Sequence, residues 1–333
     1  MTKRKHLHRK HLYLGIFIAL TLLVAVLGIA VLNLRPSIGE PTRVYVPSGS
    51  TYETVLDTLQ THNCIPSMPL FKILAKVRGY DQSVKSGSYV ITPTMNSIGI
   101  VQKLYRGAQD PVSITISRHR TKESLSKYLA DHLEMSADEM MAELTSDTAL
   151  TDFTQNTFEV YWNTSPQRFH ERMRRETRLF WNEDRMAKCA DLGMTPTQVT
   201  ILASIVEEET NNNEEKPNIA SVYLNRLRKG MLLQADPTLK YAVGDFTIRR
   251  LTAKHIAADS PYNTYKNKGL PPGPICIPSH ASIDAVLANK TTAYLYFCAK
   301  EDFSGRHNFA ATLAEHNRNA ARFHKALNER NIK

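Results

Sequence analysis

An uncharged run of 23 residues, Leu12 to Leu34, limits most strongly what this chain can fold into. As an α-helix it would be ~34 Å long, which is enough to cross a bilayer hydrocarbon core of about 30 Å. A cleaved signal peptide has a shorter apolar core, about 7–15 residues, followed by a cleavage site of small residues. The segment Asn33-Leu34-Arg35-Pro36 does not fit such a site. The sequence therefore predicts a retained transmembrane helix at 12–34.

The charges beside this helix predict its orientation. Residues 1–11 form a basic tail without acidic residues, and the whole chain of 333 residues has a formal net charge of +10. Positively charged flanks stay on the cytoplasmic side of a membrane. We therefore expect the N-terminus in the cytoplasm and the rest of the chain in the periplasm. Because no second apolar run follows, the sequence predicts a single-pass protein of the inner (cytoplasmic) membrane.

Composition argues against several classes of function. The mild excess of positive charge outside the tail either attracts an anionic polymer or is ordinary solvated surface charge. The sequence contains no basic block with interleaved aromatic residues, so its composition does not indicate nucleic acid as a partner. The cysteines lack the spacing of metal ligands, so neither a metal nor another cofactor is expected. One disulfide would suit an extracytoplasmic domain, and small buried thiols would serve equally well in a core. The four cysteines are Cys64, Cys189, Cys276 and Cys298.

Short predicted strands and helices in mixed order indicate an α+β fold behind the membrane helix. A short stalk at Arg35–Pro41 precedes a small α+β module at 42–116, a connecting helical region at 117–194 and a larger α+β domain at 195–333. In the module, the predicted strands are Thr42–Val46, Ser88–Thr92 and Val112–Ile116, and the predicted helices are Tyr52–Thr61, Leu70–Val77 and Ile98–Tyr105.

Further along the chain, helices dominate the prediction. Two short helices are expected within 121–145, and the chain from Gly230 to Pro278, including 234–238, is expected to be rich in loops. A single β-rich segment, Ala293–Ala299, is predicted as a strand. The longer predicted helices are Gln167–Leu192, Lys216–Arg228, Ser282–Asn289 and Leu313–Asn328.

The most informative helix begins at Thr195. The sequence Thr195-Pro196-Thr197-Gln198 is a capping box with proline in the first turn, and the run VTILASIVEEET follows it. On a helical wheel with Ile201 at zero, the apolar residues of this run have a mean angle of about 90°. Glu209 falls at about 80°, in the middle of the apolar face. Glu207 falls at about 240°, on the expected solvent side, and Glu208 at about 340°, on the flank.

The helix geometry therefore places one carboxyl group, that of Glu209, on the face that is expected to pack against the core. Burial disfavours the charged form of a carboxyl group and raises its pKa. A glutamate tuned toward neutrality is what a general acid needs at physiological pH. A helix-end glutamate held by a local cap or an ion pair is the alternative, and this helix by itself leaves both open.

Downstream of this helix, tyrosines stand beside amide and carboxyl side chains. The combination suits a sugar, since aromatic rings cover its apolar faces and amides bind its hydroxyl groups. The same residue types are also common in turns, and the Pro-Pro-Gly stretch at 271–273 is typical of a rigid loop. The candidate substrate-binding residues are Gln234, Asp236, Tyr262, Asn263 and Tyr265.

Five ordered motifs over about 196–320 resemble the endolytic murein transglycosylases, the MltG or YceG-like family. The motifs are LASIVEEET, IASVYLNRL, LQADPTLKYA, PYNTYKNKGLPPGPI and HNFAATLAEHN. More loosely, VPSGSTYETVLDTL and KSGSYVI are similar to the LysM-like subdomain of that family. The region 117–190 matches weakly, and Asn211-Asn212-Asn213 is unusually polar for the family, so neither is assigned a role.

The resemblance implies a membrane-anchored enzyme that cleaves nascent glycan strands internally, between N-acetylmuramic acid and N-acetylglucosamine, and leaves 1,6-anhydro ends. The catalytic glutamate of the family is the last one in the pattern I-[IV]-E-x-E-T, which corresponds to Glu209. This is the residue that the helical wheel selects. The resemblance also implies LysM-like glycan binding at 42–116. Glycan strands and the cytoplasmic membrane are the implied partners, and peptidoglycan synthases are further candidates.

Other functions remain open on the sequence. A muramidase that uses water would need a second carboxylate, for which Asp236 and Glu215 are candidates. A non-catalytic scaffold would bind the wall through the LysM-like module. A pyridoxal-dependent lyase fits poorly with a body outside the cytoplasm and no evident context for a Schiff-base lysine.

Overall fold

The computed structural model describes residues 2–33, 38–248 and 250–330. Helix α1, Thr2–Asn33, contains the apolar run from Leu12 as far as Asn33. Its segment Lys10–Ala30 has a mean hydropathy of 2.7, and none of that segment is buried against protein. By length and composition it is the one helix of the described chain that could span a membrane. The predicted stalk at Arg35–Pro41 and the end of the predicted span at Leu34 lie in part outside the described residues.

The chain forms two compact units. Residues 1–112 with 159–163 make the first unit, and residues 113–158 with 164–333 make the second. The predicted connecting region 117–194 thus belongs, apart from 159–163, to the same unit as 195–333.

Besides α1, the first unit contains three helices and a two-stranded sheet that share one hydrophobic core. Its elements are β1 (Thr42–Val46), α2 (Tyr52–Thr61), α3 (Met68–Arg78), β2 (Gly87–Ile91) and α4 (Ser97–Arg106). The strands are antiparallel, with Val44 opposite Tyr89. Helix α4 begins where Asn96 Oδ1 accepts a hydrogen bond from Gly99 N at 2.9 Å, and it ends at Gly107, whose φ of 66° is left-handed. These elements lie within one or two residues of their predicted bounds.

The rest of the chain is mainly helical. Strand β3 (Val112–Ile116) pairs with β4 (Asn156–Val160), and β5 (Tyr296–Ala299) pairs with β6 (His307–Ala310). The helices up to α9 are α5 (Lys122–His132), α6 (Ala137–Glu143), α7 (Pro166–Phe180), α8 (Glu183–Leu192) and α9 (Pro196–Glu209). The later helices are α10 (Lys216–Arg228), α11 (Asp236–Val243), α12 (Ala253–Ile256), α13 (His280–Leu287) and α14 (Leu313–Glu329).

Helix α9 is the centre of the second unit. Its start is the predicted capping box: Gln198 N donates to Thr195 Oγ1 at 3.2 Å, and Thr195 N donates to Gln198 Oε1 at 2.9 Å. Every residue from Val199 to Glu207 is buried. Helices α8, α10, α11 and α13 all contact α9. A helix surrounded in this way has no solvent face.

Two predictions about helices are wrong. The long helix predicted at Gln167–Leu192 is two helices, because Asn182 Oδ1 accepts from Arg185 N at 3.0 Å and starts α8 there. The segment 234–238, predicted as loop, contains the first turn of α11, in which Pro237 is tolerated because the first N–H groups of a helix need no partner within it. Strands β4 and β6 are further elements that sequence reasoning missed.

The cysteines have free thiols. Cys64, Cys189 and Cys276 are buried, and Cys298 is half-buried. Burial raises the pKa of the Cys276 thiol well above its usual value, so this group is uncharged in the core. The first three therefore serve as small apolar core residues, one of the two alternatives that the sequence left open.

Candidate functional site

Glu209, the last residue of α9, lies where two cavities of the second unit meet. We call the first, of about 760 Å³, the basic cavity, because Arg118, Arg120, Lys300 and Arg306 are among its lining residues. We call the second, of about 420 Å³, the aromatic cavity, because Tyr223, Tyr265, Tyr296 and Phe297 are among those lining it. Glu209, Ala299 and His307 line both cavities, so the two cavities are adjacent. Together we call them the groove, and these three shared residues are its midpoint.

The carboxyl group of Glu209 is held by a buried tyrosine. Tyr223 Oη, on α10, donates to Glu209 Oε1 at 2.5 Å, and Tyr223 is only 2% exposed. Burial raises the pKa of Glu209 to about 7; the charges of Asp236 and Glu208 act in the same direction, and the Tyr223 hydrogen bond and Lys240 oppose it. At neutral pH about half of the molecules therefore carry a proton on Glu209.

Three of the five predicted binding residues share the aromatic cavity with Glu209: Gln234, Asp236 and Tyr265. Tyr265 Oη donates to Asp236 Oδ1. Gln234 has a φ of 48°, a left-handed conformation that costs free energy for a residue with a side chain and is often found at functional sites. Its backbone N–H donates to Thr264 O at 3.1 Å, which stabilises this conformation.

Arg226 is part of the wall of the aromatic cavity and holds neighbouring parts of that wall in place. This arginine is 8% exposed and donates to Leu295 O at 2.7 Å and to Leu233 O at 2.7 Å. Its guanidinium also lies over the ring of Tyr296, 5.2 Å from the centroid. Because these contacts tie strand β5 to the segment before α11, they set the spacing between the two sides of the cavity.

The other two predicted binding residues, Tyr262 and Asn263, line neither cavity. Asn263 is fully buried, and its Nδ2 donates to two backbone carbonyls of the preceding turn at 3.0 and 2.8 Å. Its Oδ1 accepts from Tyr265 N at 3.0 Å. The ring of Tyr262 packs against that of Tyr241, with centroids 4.7 Å apart. Asn263 thus shapes the loop that presents Tyr265 to the cavity.

Glu207 is buried, and the prediction that it faces solvent is wrong. It is 8% exposed, and its Oε2 accepts hydrogen bonds from Lys216 Nζ at 3.0 Å and from Ser279 Oγ and Ser282 Oγ at 2.5 Å each. Burial by itself would raise the pKa of Glu207, but the hydrogen bonds from Ser279, Ser282 and Lys216 outweigh it and lower the pKa. The wheel failed because α10 and α13 cover the side that it assigned to water.

Glu208 belongs to the wall of the basic cavity. Arg120 Nη2 lies 2.8 Å from its Oε2, and Arg118 Nε lies 3.5 Å from its Oε1. Two guanidinium groups share this one carboxylate, which leaves the wall with an excess of positive charge. The three consecutive glutamates therefore have three different environments, and Glu209 is the one whose carboxyl group keeps a proton near neutral pH.

Sequence reasoning missed two residues beside Glu209, Tyr223 and His307. His307 opens β6, and its cross-strand partner is Ala299 on β5. Its backbone N–H donates to Glu215 Oε1 at 2.9 Å, and its Nδ1 lies 3.2 Å from Glu215 Oε2. Both residues stand inside conspicuous motifs, but their partners are 14 and 92 positions away, so no local pattern shows the pairing. Glu215, a candidate second carboxylate, is 6% exposed and lines neither cavity.

Comparison with known proteins gives consistent matches. The model of the YceG-like family matches residues 44–322. An endolytic murein transglycosylase of Bacillus subtilis is 29% identical over 314 residues, which are 86% of this chain and 86% of that protein. An endolytic murein transglycosylase of Streptococcus pneumoniae is 26% identical over 318 residues; the match covers 84% of this chain and 57% of that longer protein.

The fold has a solved counterpart as well. A crystal structure at 2.6 Å of a protein from Listeria monocytogenes described as yceG-like has a TM-score of 0.57 and 28% identity to this chain. The match covers 84% of this chain and 99% of that one. The residues matched by the family model include parts of both units and all of the groove around Glu209 except Phe323. The chain therefore belongs to the YceG-like family.

Proposed function

We propose that this protein is an endolytic lytic transglycosylase that cleaves peptidoglycan between N-acetylmuramic acid and N-acetylglucosamine, with Glu209 as acid and then base. One observation carries the proposal: a carboxyl group with a pKa of about 7 lies at the midpoint of a groove, with cavity volume on both sides. Relatives from two organisms named endolytic murein transglycosylase support the substrate and the class of reaction.

The chemistry needs one carboxyl group. Protonated Glu209 donates its proton to the glycosidic oxygen as the bond to C1 of the muramyl residue breaks. The resulting carboxylate then accepts the proton of the C6 hydroxyl of the same residue, and O6 closes a 1,6-anhydro ring on C1. Glu209 ends in its starting state and no water is consumed. A pKa near 7 suits both steps, because the proton is readily given and readily recovered at physiological pH.

The two cavities support cleavage inside a strand. An enzyme that removes terminal units needs room for a chain on one side of the bond, whereas an internal cut needs room on both. The walls also differ: the aromatic cavity offers tyrosine rings with Gln234 and Asp236, which suit sugar faces and hydroxyl groups. The basic cavity offers arginine and lysine side chains. We assign Gln234, Asp236 and Tyr265 to substrate binding on the aromatic side.

The remaining elements fit an enzyme that works at the membrane surface. The hydropathy of Lys10–Ala30 supports a single-pass anchor, and the basic tail before it supports a cytoplasmic N-terminus with a periplasmic body. In the first unit, two helices connect two antiparallel strands. This order supports a LysM-like module that binds glycan strands.

Product analysis tests the proposal. The full-length protein in detergent is incubated with purified uncrosslinked glycan strands in water labelled with heavy oxygen, and the products are weighed by mass spectrometry. We expect internal fragments whose muramyl ends are 1,6-anhydro and carry no label. Labelled reducing ends would identify a water-using muramidase with Asp236 as the remaining candidate second carboxylate. Binding without any fragments would identify a non-catalytic scaffold.

Replacing Tyr223 by Phe will shift the pH dependence of cleavage. The Tyr223 hydrogen bond lowers the pKa of Glu209, so its removal raises that pKa further above the usual value of a glutamate. Glu209 then stays protonated to higher pH, and the basic limb of the kcat/KM profile moves to higher pH. Tyr128→Phe serves as the control, since Tyr128 accepts from Thr115 N at 3.0 Å away from both cavities. A basic limb that stays in place or moves down would contradict this role.

A further inference from the structure

His307 occupies a position that the mechanism with Glu209 alone does not use. It is one of three residues that line both cavities, together with Glu209 and Ala299. Its partner across the β5–β6 sheet is Ala299 itself, and paired residues of an antiparallel sheet lie on the same face. Ala299, which carries only a methyl group, and His307 therefore lie side by side at the midpoint of the groove.

The ring of His307 is held on two sides. Glu215, which is 6% exposed, accepts its backbone N–H at 2.9 Å and lies 3.2 Å from its Nδ1. The ring also packs edge-on against Phe297, with centroids 5.4 Å apart and planes at 87°. Phe297 in turn meets the ring of Tyr223 at 5.9 Å. Tyr223, which donates to Glu209, and His307 therefore both pack against the ring of Phe297.

The carboxylate of Glu215 selects the tautomer of His307. An ionised carboxylate only accepts hydrogen bonds, so Nδ1 carries the proton in the bond between them. In the neutral ring Nε2 is then a free acceptor, and the hydrogen bonds of His307 within the described chain do not use it. A buried carboxylate behind an imidazole is a common way of fixing the orientation of the ring and its tautomer.

We infer that His307 contacts the substrate and orients the hydroxyl group that closes the anhydro ring, its Nε2 accepting a hydrogen bond from the C6 hydroxyl of the muramyl residue. This rests on the proposed function. The C6 hydroxyl rotates freely about the C5–C6 bond, so an acceptor at the midpoint of the groove selects the rotamer that points at C1. Before cleavage the hydroxyl proton lies in the hydrogen bond to Nε2. Once Glu209 has given its proton to the leaving oxygen and the bond from C1 to that oxygen has broken, the O–H turns about the C6–O6 bond to the new Glu209 carboxylate, which takes the proton as the bond from C1 to O6 forms. His307 ends as it began.

Two variants separate this role from a purely structural one. His307→Gln keeps the backbone hydrogen bond to Glu215 and loses the imidazole acceptor. Glu215→Gln keeps both hydrogen bonds, because its amide oxygen accepts the backbone N–H and its amide N–H donates to Nδ1. That exchange moves the ring proton to Nε2 and turns the acceptor into a donor. A structural role alone would leave Glu215→Gln with the behaviour of the wild type.

The matched control is His170→Gln. His170 Nε2 lies 2.9 Å from Asp152 Oδ2 and its ring stacks on Phe153, so it is another histidine held by a carboxylate and a phenyl ring. Neither His170 nor Asp152 lines the groove around Glu209. The readouts are kcat, KM and the fraction of fragments that end in a 1,6-anhydro group rather than a reducing sugar, with thermal melting to verify folding.

We expect kcat to fall about 100-fold in His307→Gln and in Glu215→Gln, the scale of loss when a reacting group is misplaced, with KM changed little. The fraction of anhydro ends should fall in both, because water competes with a hydroxyl that is no longer oriented. Folded variants with the kcat and anhydro fraction of His170→Gln would overturn the inference. If His307→Gln does not fold, Glu215→Gln decides alone. Failure of the wild type to form anhydro ends would instead overturn the proposed function.

Discussion

Glu209→Gln will fold and bind glycan strands but will release 1,6-anhydro fragments at least about 100-fold more slowly than the wild type. Glutamine has nearly the same shape, and its amide oxygen can still accept the hydrogen bond from Tyr223. It cannot donate a proton to the glycosidic oxygen, so we expect cleavage to fall by about 10²–10⁴-fold, the usual contribution of general acid–base catalysis. The rate of fragment release, measured by mass spectrometry, checks this. Appreciable activity in the variant would remove Glu209 from the mechanism.

The same variant should be more stable than the wild type at high pH. The pKa of Glu209 rises from 4.5 to about 7 on folding, so the folded state binds this proton more tightly than the unfolded state. The stability that results is fully present below about pH 4.5 and is lost as the pH rises through about 7. At about 1.4 kcal/mol per pKa unit, the wild type loses up to about 3 kcal/mol over this range.

Thermal unfolding at pH 5 and pH 8 measures this difference. The melting temperature of the wild type should fall more between the two values than that of Glu209→Gln. Glu143→Gln is the control, because Glu143 also ends a helix, α6, but is exposed. Equal pH dependence in the wild type and in Glu209→Gln would show that the carboxyl group is not desolvated.

Glu207→Ala will destabilise the second unit by about 3–5 kcal/mol, the cost of breaking a buried ion pair by removing one partner. Lys216 is 3% exposed, and without Glu207 its ammonium group would be left charged in the core. Ser279 and Ser282 would also lose their acceptor. The wheel placed Glu207 in solvent, where its replacement would cost little stability; the buried network instead predicts a loss of folded protein.

A double variant tests whether the buried charge is the cause. Glu207→Gln with Lys216→Met removes both charges and should recover much of the stability that Glu207→Ala loses, as measured by chemical denaturation. The pKa of Glu207 is lowered on folding, so its contribution is present above the unfolded value of 4.5 and is lost as the pH falls through the folded pKa. The double variant should lack this acid-sensitive component. Equal stability of Glu207→Ala and the double variant would contradict the explanation.

Local chemistry predicted much of the fold. Helix α10 has the predicted bounds, and the start of α9 follows from Thr195 and Gln198, because a capping box is a short-range pattern. The break at Asn182 was missed because a capping residue inside a charged, helix-favouring run gives a weak signal. Strand β6 was missed because its partner, β5, supplies the hydrogen bonds that a strand of four residues needs.

The positions of candidate site residues could be predicted where the chemistry of the side chain determines them. They could not be predicted where packing against distant parts of the chain determines them. Gln234, Asp236 and Tyr265 were selected for their chemistry and lie in the aromatic cavity with Glu209. Asn263 was selected for the same reason, but its amide is used inside its own turn. Local periodicity also cannot tell a helix with one buried face from a helix surrounded by others, and for this reason Glu207 was misplaced.

Helix α9 ends at the groove, and its direction adds a further electrostatic element. The aligned peptide dipoles of an α-helix leave a partial negative charge at its C-terminus, worth about 0.3–1 kcal/mol for a nearby ion and more where water is excluded. Glu209 and Thr210, which close this helix, both line the basic cavity. A sugar cation forming at this point would meet the negative pole of the central helix, so the backbone itself would stabilise the positive charge that develops as the glycosidic bond breaks.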